Sequence, residues 1–256
     1  MKSLERMLGI LDLFEGSSPE WTVDELHDAL GYTRSTLYRY LKILTDAGFL
    51  AALPDIGYTL GPRIIELDYK IRTRDRLILA SKPAMAELVG EIPGIALLCR
   101  WYKDKVLCVH QERSTDRFQS NYERGRGRPL LRGAASRVIL AYLSMAGLTR
   151  IYQAQADEFE AAGLGASFDD VRDRLKAIRK AGCDISTGQV TPGVTGIAAP
   201  LFDGRQNVIG SLSLTIGETD IPAERLKFIS DRVRFCARIV SNTISREEPE
   251  PPTGGA

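Results

Sequence analysis

Two groups of residues in this 256-residue chain have the types and spacing to do chemistry. The first is the run Thr33-Arg34-Ser35-Thr36-Leu37-Tyr38-Arg39-Tyr40-Leu41-Lys42. At helical spacing Arg34, Ser35, Tyr38, Arg39 and Lys42 project together, and no acid lies between Thr33 and Leu44. Cations, hydroxyls and a phenol on one face can grip phosphate oxygens and base edges. The second group is the segment 113–137, which sets seven arginines (113, 117, 124, 126, 128, 132 and 137) against only Asp116 and Glu123. Guanidinium pairs bidentately with carboxylate and phosphate. Three readings of it stand: a second nucleic-acid contact, an anion-binding pocket, or a solvated loop whose arginines pair with acids elsewhere.

Catalytic patterns are missing. There is no G-x-S-x-G elbow and no G-x-x-x-x-G-K-[ST] phosphate loop. Gly125-Arg126-Gly127 begins a dinucleotide fingerprint, but position 130 is leucine. His110-Gln111-Glu112 mimics the H-x-E of zinc deaminases without their P-C-x-x-C. His27 and His110 are the only histidines, and Cys108 with His110 offers two metal ligands at most. A core cysteine beside a hydrogen-bonded histidine is the simpler reading. No catalytic residue, metal or cofactor is expected.

The first group needs a scaffold, and residues 1–61 supply one. Leu4, Met7, Leu8, Leu11 and Phe14 make one apolar helical face, ended by Gly16-Ser17-Ser18-Pro19. Thr22-Val23-Asp24-Glu25 is a capping box opening a short helix, with Gly31 as its left-handed stop. Thr33 caps a third helix whose inner face is Leu37, Tyr40, Leu41 and Leu44, closed by Gly48. Residues 49–53, the turn 54–57 and 58–60 then read as a β-hairpin. Helix, short helix, tight turn, helix and hairpin make a winged helix-turn-helix. In this arrangement the third helix can enter a major groove. Gly57 and Tyr58 of the wing would touch the flanking backbone or minor groove. Residues 1–75 hold nine Lys/Arg against twelve Asp/Glu, a local charge of −3, so a solvated face or a protein-contact module is the rival. The acids gather in the second helix and the cations in the third, a segregation that favours DNA.

Residues 62–92 read as a helical linker interrupted at Arg72-Thr73-Arg74-Asp75-Arg76. From 93 to 245 the pattern is α+β. Strands are expected at 95–102, 106–111, 117–122, 183–188, 195–202 and 207–216, and helices at 133–146, 167–181 and 222–245. The tail 246–256 is too charged and proline-rich to pack. A composition of 44% hydrophobic and 26% charged residues, with net charge +1, excludes a wholly disordered, collagen-like or coiled-coil chain. Charges inside the first apolar stretch argue against a secretory signal. No apolar run approaches the ~20 residues of a membrane span. Cys99, Cys108, Cys183 and Cys236 lie scattered in apolar surroundings, as reduced thiols would. The cytoplasm is the expected location, with no membrane partner.

Several stretches together resemble the IclR-type transcription regulators: Ser3-Leu4-Glu5-Arg6 with Ile10-Leu11-Asp12-Leu13-Phe14, Thr36 to Lys42, and Gly57-Tyr58-Thr59-Leu60-Gly61-Pro62-Arg63. Arg128-Pro129-Leu130, Gly193-Val194 and Ile197-Ala198-Ala199-Pro200 continue the likeness. The resemblance implies a GAF-like antiparallel-sheet sensor domain, homodimers or tetramers built as dimers of dimers, and double-stranded operator DNA as partner. Carried over by position, it implies an effector pocket of Ser120, Leu130, Gly133, Ala134 and Ala135. Ser186, Val194, Gly196, Ser213 and Thr215 complete that pocket. The chain departs from the common pattern at Leu131 to Arg137, and Ser186 stands where some relatives carry an acid. Arginine near the pocket and a lost carboxylate favour a small organic-acid effector, with Arg132 or Arg128 as its partner; the rival is a neutral ligand bound mainly by Leu130 and Val194, with both arginines facing solvent. The rival function is a small-molecule or metal sensor, or an enzyme, built on the second domain without DNA binding.

Overall fold

The computed structural model of the chain describes residues 3–16, 18–103, 105–116, 123–217 and 221–247. It forms two compact units, Met1–Asp75 and Arg76–Ala256.

In the first unit, α1 (Ser3–Asp12) gives way to a 3-10 turn at Leu13–Glu15, so the helix stops two residues before Phe14. The expected capping box opens α2 (Val23–Leu30). The Glu25 N–H donates to Thr22 Oγ1 (3.2 Å) and the Thr22 N–H to Glu25 Oε2 (2.8 Å). Gly31 ends it at φ +64°, a conformation that costs glycine nothing. Thr33 caps α3 (Arg34–Asp46). The hairpin of β1 (Leu50–Leu53) and β2 (Gly57–Leu60) follows, then α4 (Pro62–Arg74). Ile10, Leu26, Leu37, Leu41, Leu44 and Leu50 form the core, each almost fully buried.

The wing is tied to the segment before α2. Trp21 and Tyr58 exchange backbone hydrogen bonds of 2.9 and 2.8 Å, extending the hairpin by one bridge. Gly57 makes that possible: its φ is +138°, and a Cβ there would stand 2.4 Å from the Trp21 carbonyl oxygen. The close approach Gly57 permits is therefore internal to the unit.

The second unit begins with α5 (Arg76–Glu91), after a break at Asp75. Then come β3 (Ile95–Tyr102), β4 (Lys105–Arg113), the short β5 (Gly127–Arg128), α6 (Ala134–Ala141), α7 (Met145–Ala161) and α8 (Phe168–Ala181). The unit ends with β6 (Asp184–Thr187), β7 (Thr195–Phe202), β8 (Val208–Ile216) and α9 (Ala223–Glu247). One six-stranded antiparallel sheet runs β5-β4-β3-β8-β7-β6. Strand side chains alternate between its faces. Leu212, Leu214 and Ile216 of β8 join Ile197 and Leu201 of β7 beneath α5 and α9. Ile95, Leu97 and Cys99 of β3 face the other way, into the core shared with α6, α7 and α8.

One expectation changed. The helix anticipated over 133–146 is two helices, because the chain turns after Ala141 and Ser144 caps a new one through the Gly147 N–H (3.2 Å). That second helix, α7, was not anticipated. It buries only Leu148 and Phe159 and bends at Gln155, so its sequence carries a weak apolar stripe. The strand anticipated at 117–122 lies outside the described residues.

Gly57→Ala forces a left-handed φ on a residue with a Cβ and drives that Cβ into the Trp21 backbone. It should cost at least ~2 kcal/mol of stability. Denaturant unfolding read from fluorescence checks this; a cost below ~0.5 kcal/mol would show that the wing relaxes freely.

Candidate functional site

The outer face of α3 is built by burying its inner one. Leu37, Tyr40, Leu41 and Leu44 sink into the first unit's core, which leaves Arg34, Ser35, Tyr38, Arg39 and Lys42 exposed, with Thr36 half-buried. Tyr38 is 52% exposed. Thr33 and Thr36 pair through their hydroxyls at the helix start (2.9 Å). Two of the cations are held by acids. Arg34 Nη2 lies 2.7 Å from Asp24 Oδ1 at the start of α2, and Lys42 Nζ lies 3.2 Å from Asp46. The Asp24 bond raises the Arg34 pKa above its ordinary value. Both pairs are solvent-exposed and so are weak; exchanging an acid for a phosphate costs them little.

The second unit holds a pocket between α6, β6, β7, β8 and the loop 188–194. Its empty space, open mouth included, is ≈ 410 Å³. The floor is the reverse face of β8. Because Leu212, Leu214 and Ile216 point to the α5/α9 side, the alternate residues Ser211, Ser213 and Thr215 point to the α6 side. Ser211 Oγ donates to the Ala135 carbonyl (2.8 Å). Ser213 Oγ lines the pocket, is 3% exposed, and has no hydrogen-bond partner among the described residues.

The roof is the start of α6. Gly133 sits at φ +80°, where a Cβ would meet Val190 Cγ2 at 2.8 Å. The first amides of a helix lack intrahelical partners. Here the Ala134 N–H donates to Ser186 Oγ (2.9 Å) and the Gly133 N–H to Gln189 Oε1 (3.1 Å). Arg137, one turn further, donates Nη1 to Gln189 Oε1 (3.2 Å) and Nη2 to Asp184 Oδ1 (3.3 Å), and its Nε stands 2.9 Å from Asp184 Oδ2. Both side chains are at most 4% exposed. Burial pushes the Asp184 carboxyl up and the Arg137 guanidinium down, and their mutual attraction opposes both shifts.

Arg128 lines the wall, its Nη2 3.6 Å from the place of a Gly133 Cβ. Next to it, Cys99 and Cys108 face each other on β3 and β4, fully buried. The Cys108 contact and the nearby Arg128 charge lower the Cys99 thiol against desolvation, while the same contact and burial push Cys108 up. His110 Nε2 lies 2.8 Å from Glu112, and no three metal-binding side chains gather among the described residues.

Of the residues anticipated for the effector pocket, the structure brings together Arg128, Gly133, Ala134, Ala135, Ser186, Val194, Gly196, Ser213 and Thr215. Arg132 is exposed and Leu130 packs against the hydrophobic core, both away from the lining. Ser120 lies outside the described residues. The sequence reading missed Leu97, the 188–191 loop and the Arg137–Asp184 pair. The loop had a signal in Gly188 and Gly193 bounding a polar stretch between strands.

A winged helix-turn-helix followed by a unit with an open-mouthed pocket is the layout of a DNA-binding transcription regulator. Residues 3–54 match the IclR helix-turn-helix domain, and residues 70–242 match the domain described as bacterial transcriptional regulator IclR C-terminal. The chain belongs to the IclR family. It is 24% identical to the HTH-type transcriptional regulator KipR of Bacillus subtilis, over 95% of this chain and 97% of that one. It is 28% identical to the regulator XynR of Escherichia coli, over 84% and 86%. An IclR regulator from Alicyclobacillus acidocaldarius superposes with a TM-score of 0.76 at 21% identity, covering 94% and 98%. Pseudomonas aeruginosa HmgR gives 0.72 at 22%, covering 95% and 99%. The two structures share the fold. The family and these relatives are regulators of transcription, not enzymes.

Proposed function

We propose that this regulator reads double-stranded operator DNA with the outer face of α3, through Arg34, Ser35, Tyr38, Arg39 and Lys42. Thr33 and Thr36 set the helix start, and Gly57 and Tyr58 place the wing on the flanking backbone. In the same reading a small organic acid in the second unit controls operator binding. The regulator then works in the cytoplasm as a homodimer or a dimer of dimers, since a helix-turn-helix dimer places two recognition helices on successive half-sites. The domain boundaries of the reading are 1–61, 62–92 and 93–245, with a tail at 246–256.

The observation that carries the effector assignment is the pocket lining: one arginine, Arg128, four hydroxyl residues, and no carboxylate, under the amino end of α6. That is an electropositive, partly enclosed space with donors on several sides. A helix amino end favours anions, and guanidinium offers carboxylate a fixed fork. Arg128 takes this role rather than Arg132, whose side chain is on the surface.

Arg34→Ala and Arg39→Ala should each weaken binding to DNA upstream of the protein's own gene by about 1–3 kcal/mol, with unfolding unchanged. Fluorescence anisotropy at fixed salt measures this, and wild-type affinity in both variants would reject the α3 assignment.

Calorimetric titration of short carboxylic acids and their primary amides tests the pocket. Acids should bind the parent more tightly than amides, and Arg128→Gln should lower acid affinity about tenfold or more. Equal affinity for acid and amide, unchanged in the variant, would leave the pocket without a carboxylate preference.

A further inference from the structure

Gln189 occupies a place that chemistry reserves for an anion. Its Oε1 accepts from the Gly133 N–H (3.1 Å) and from Arg137 Nη1 (3.2 Å). The first is a helix-terminal amide and the second a cation, the pair of donors that suits a carboxylate oxygen best. A primary amide is the neutral isostere of a carboxylate. Gln189 is nevertheless an exposed residue in a loop between Gly188 (φ +66°) and Gly193 (φ +76°), and neither glycine has other atoms near a Cβ position. Both glycines can change φ at little cost, which makes them the natural hinges of this loop. Meanwhile Ser213 Oγ, 3% exposed on the floor of the same pocket, takes no part in the contact and has no partner among the described residues. The pocket thus keeps a further donor that Gln189 does not use and that a second ligand oxygen can.

We infer that Gln189 is an internal stand-in for the carboxylate of the ligand. An organic acid held by Arg128, whose Nη2 lies 3.6 Å from the place of a Gly133 Cβ, binds by displacing Gln189 Oε1 from the adjacent Gly133 N–H and Arg137 Nη1, which frees the loop 188–193. This rests on the reading of the pocket as a carboxylate site and adds its selectivity device. A tethered amide competes at high effective concentration, so the apparent affinity of any guest falls by the fraction of molecules in which the amide is in place. A neutral guest offers no better acceptor than the amide does. A carboxylate does, because its hydrogen bonds are charge-assisted. Gln189 therefore sets the threshold that separates acids from neutral analogues.

The test uses the full chain and chemical rescue. Gln189→Ala deletes a CH₂–CO–NH₂ group, the size of acetamide, and acetate is its anionic counterpart. Thermal unfolding is followed with increasing sodium acetate or acetamide at constant ionic strength. Acetate should stabilise Q189A at about one tenth of the concentration needed for the parent, and should outdo acetamide on Q189A about tenfold. Gln189→Glu carries its own carboxylate to the same donors and should lose the acetate response of the parent. Should Q189A fail to fold, the Q189E comparison decides alone. Equal acetate response in parent and Q189A, or in parent and Q189E, overturns the stand-in while leaving the pocket a carboxylate site. Acetate and acetamide acting alike on Q189A overturns it as well. No acetate response in any of the three removes both the stand-in and the carboxylate reading.

Discussion

The buried ion pair between Arg137 and Asp184 is the constraint on which the second unit's site depends. Arg137 lies on α6 and Asp184 opens β6, an edge strand of the sheet. Two charges at most 4% exposed cannot separate without leaving one of them stranded in a medium that solvates it poorly. The pair therefore fixes the rotation and height of α6 over the sheet. That placement brings the Ala134 amide onto Ser186 and the Gly133 amide onto Gln189, at the edge of the pocket. An apolar contact would hold α6 down as firmly but would not fix which of its atoms meets which.

The pocket follows from strand parity once α6 is fixed. On β8 the leucines and the isoleucine claim the α5/α9 side, and the pleat leaves Ser211, Ser213 and Thr215 on the α6 side. Ser211 satisfies itself on the Ala135 carbonyl, and this second bond ties α6 to the sheet centre. Small residues then keep the space open. Gly133 is required by its positive φ and by Val190, and Gly196 on β7 stands opposite Thr215 and Ser186 without a side chain to fill the gap. The first unit uses the same economy differently. Gly57 lets the wing close onto Trp21, and the apolar core sets how α3 presents its outer face.

What the sequence made legible was local. The capping box at Thr22/Glu25, the left-handed stop at Gly31 and the stripe of α3 all act within one or two turns, where residue spacing determines the outcome. Most of the pocket lining came from the family resemblance rather than from periodicity. The missing parts join residues far apart in the chain: Arg137 to Asp184 across 47 positions, and Gly133 to Gln189 across 56. Spacing rules do not reach that far. Arg132 shows the other failure. Beside Leu131, which is buried, and one turn from Arg137, it looked equivalent to its neighbours in a basic segment, but the helix start turns it to solvent and Arg137 inward. Helix α7 escaped notice because it borrows little from the core and so has little stripe to read.

The claim that the Arg137–Asp184 pair fixes α6 is tested most directly by a double-mutant cycle on Arg137→Met and Asp184→Leu, read by denaturant unfolding. Each single variant strands a buried charge and should lose about 3–5 kcal/mol, while the double variant recovers most of that loss. A coupling energy of about 3 kcal/mol or more is the predicted result. Single losses below about 1 kcal/mol that simply add in the double variant would contradict it, and would mean that apolar packing alone places the helix.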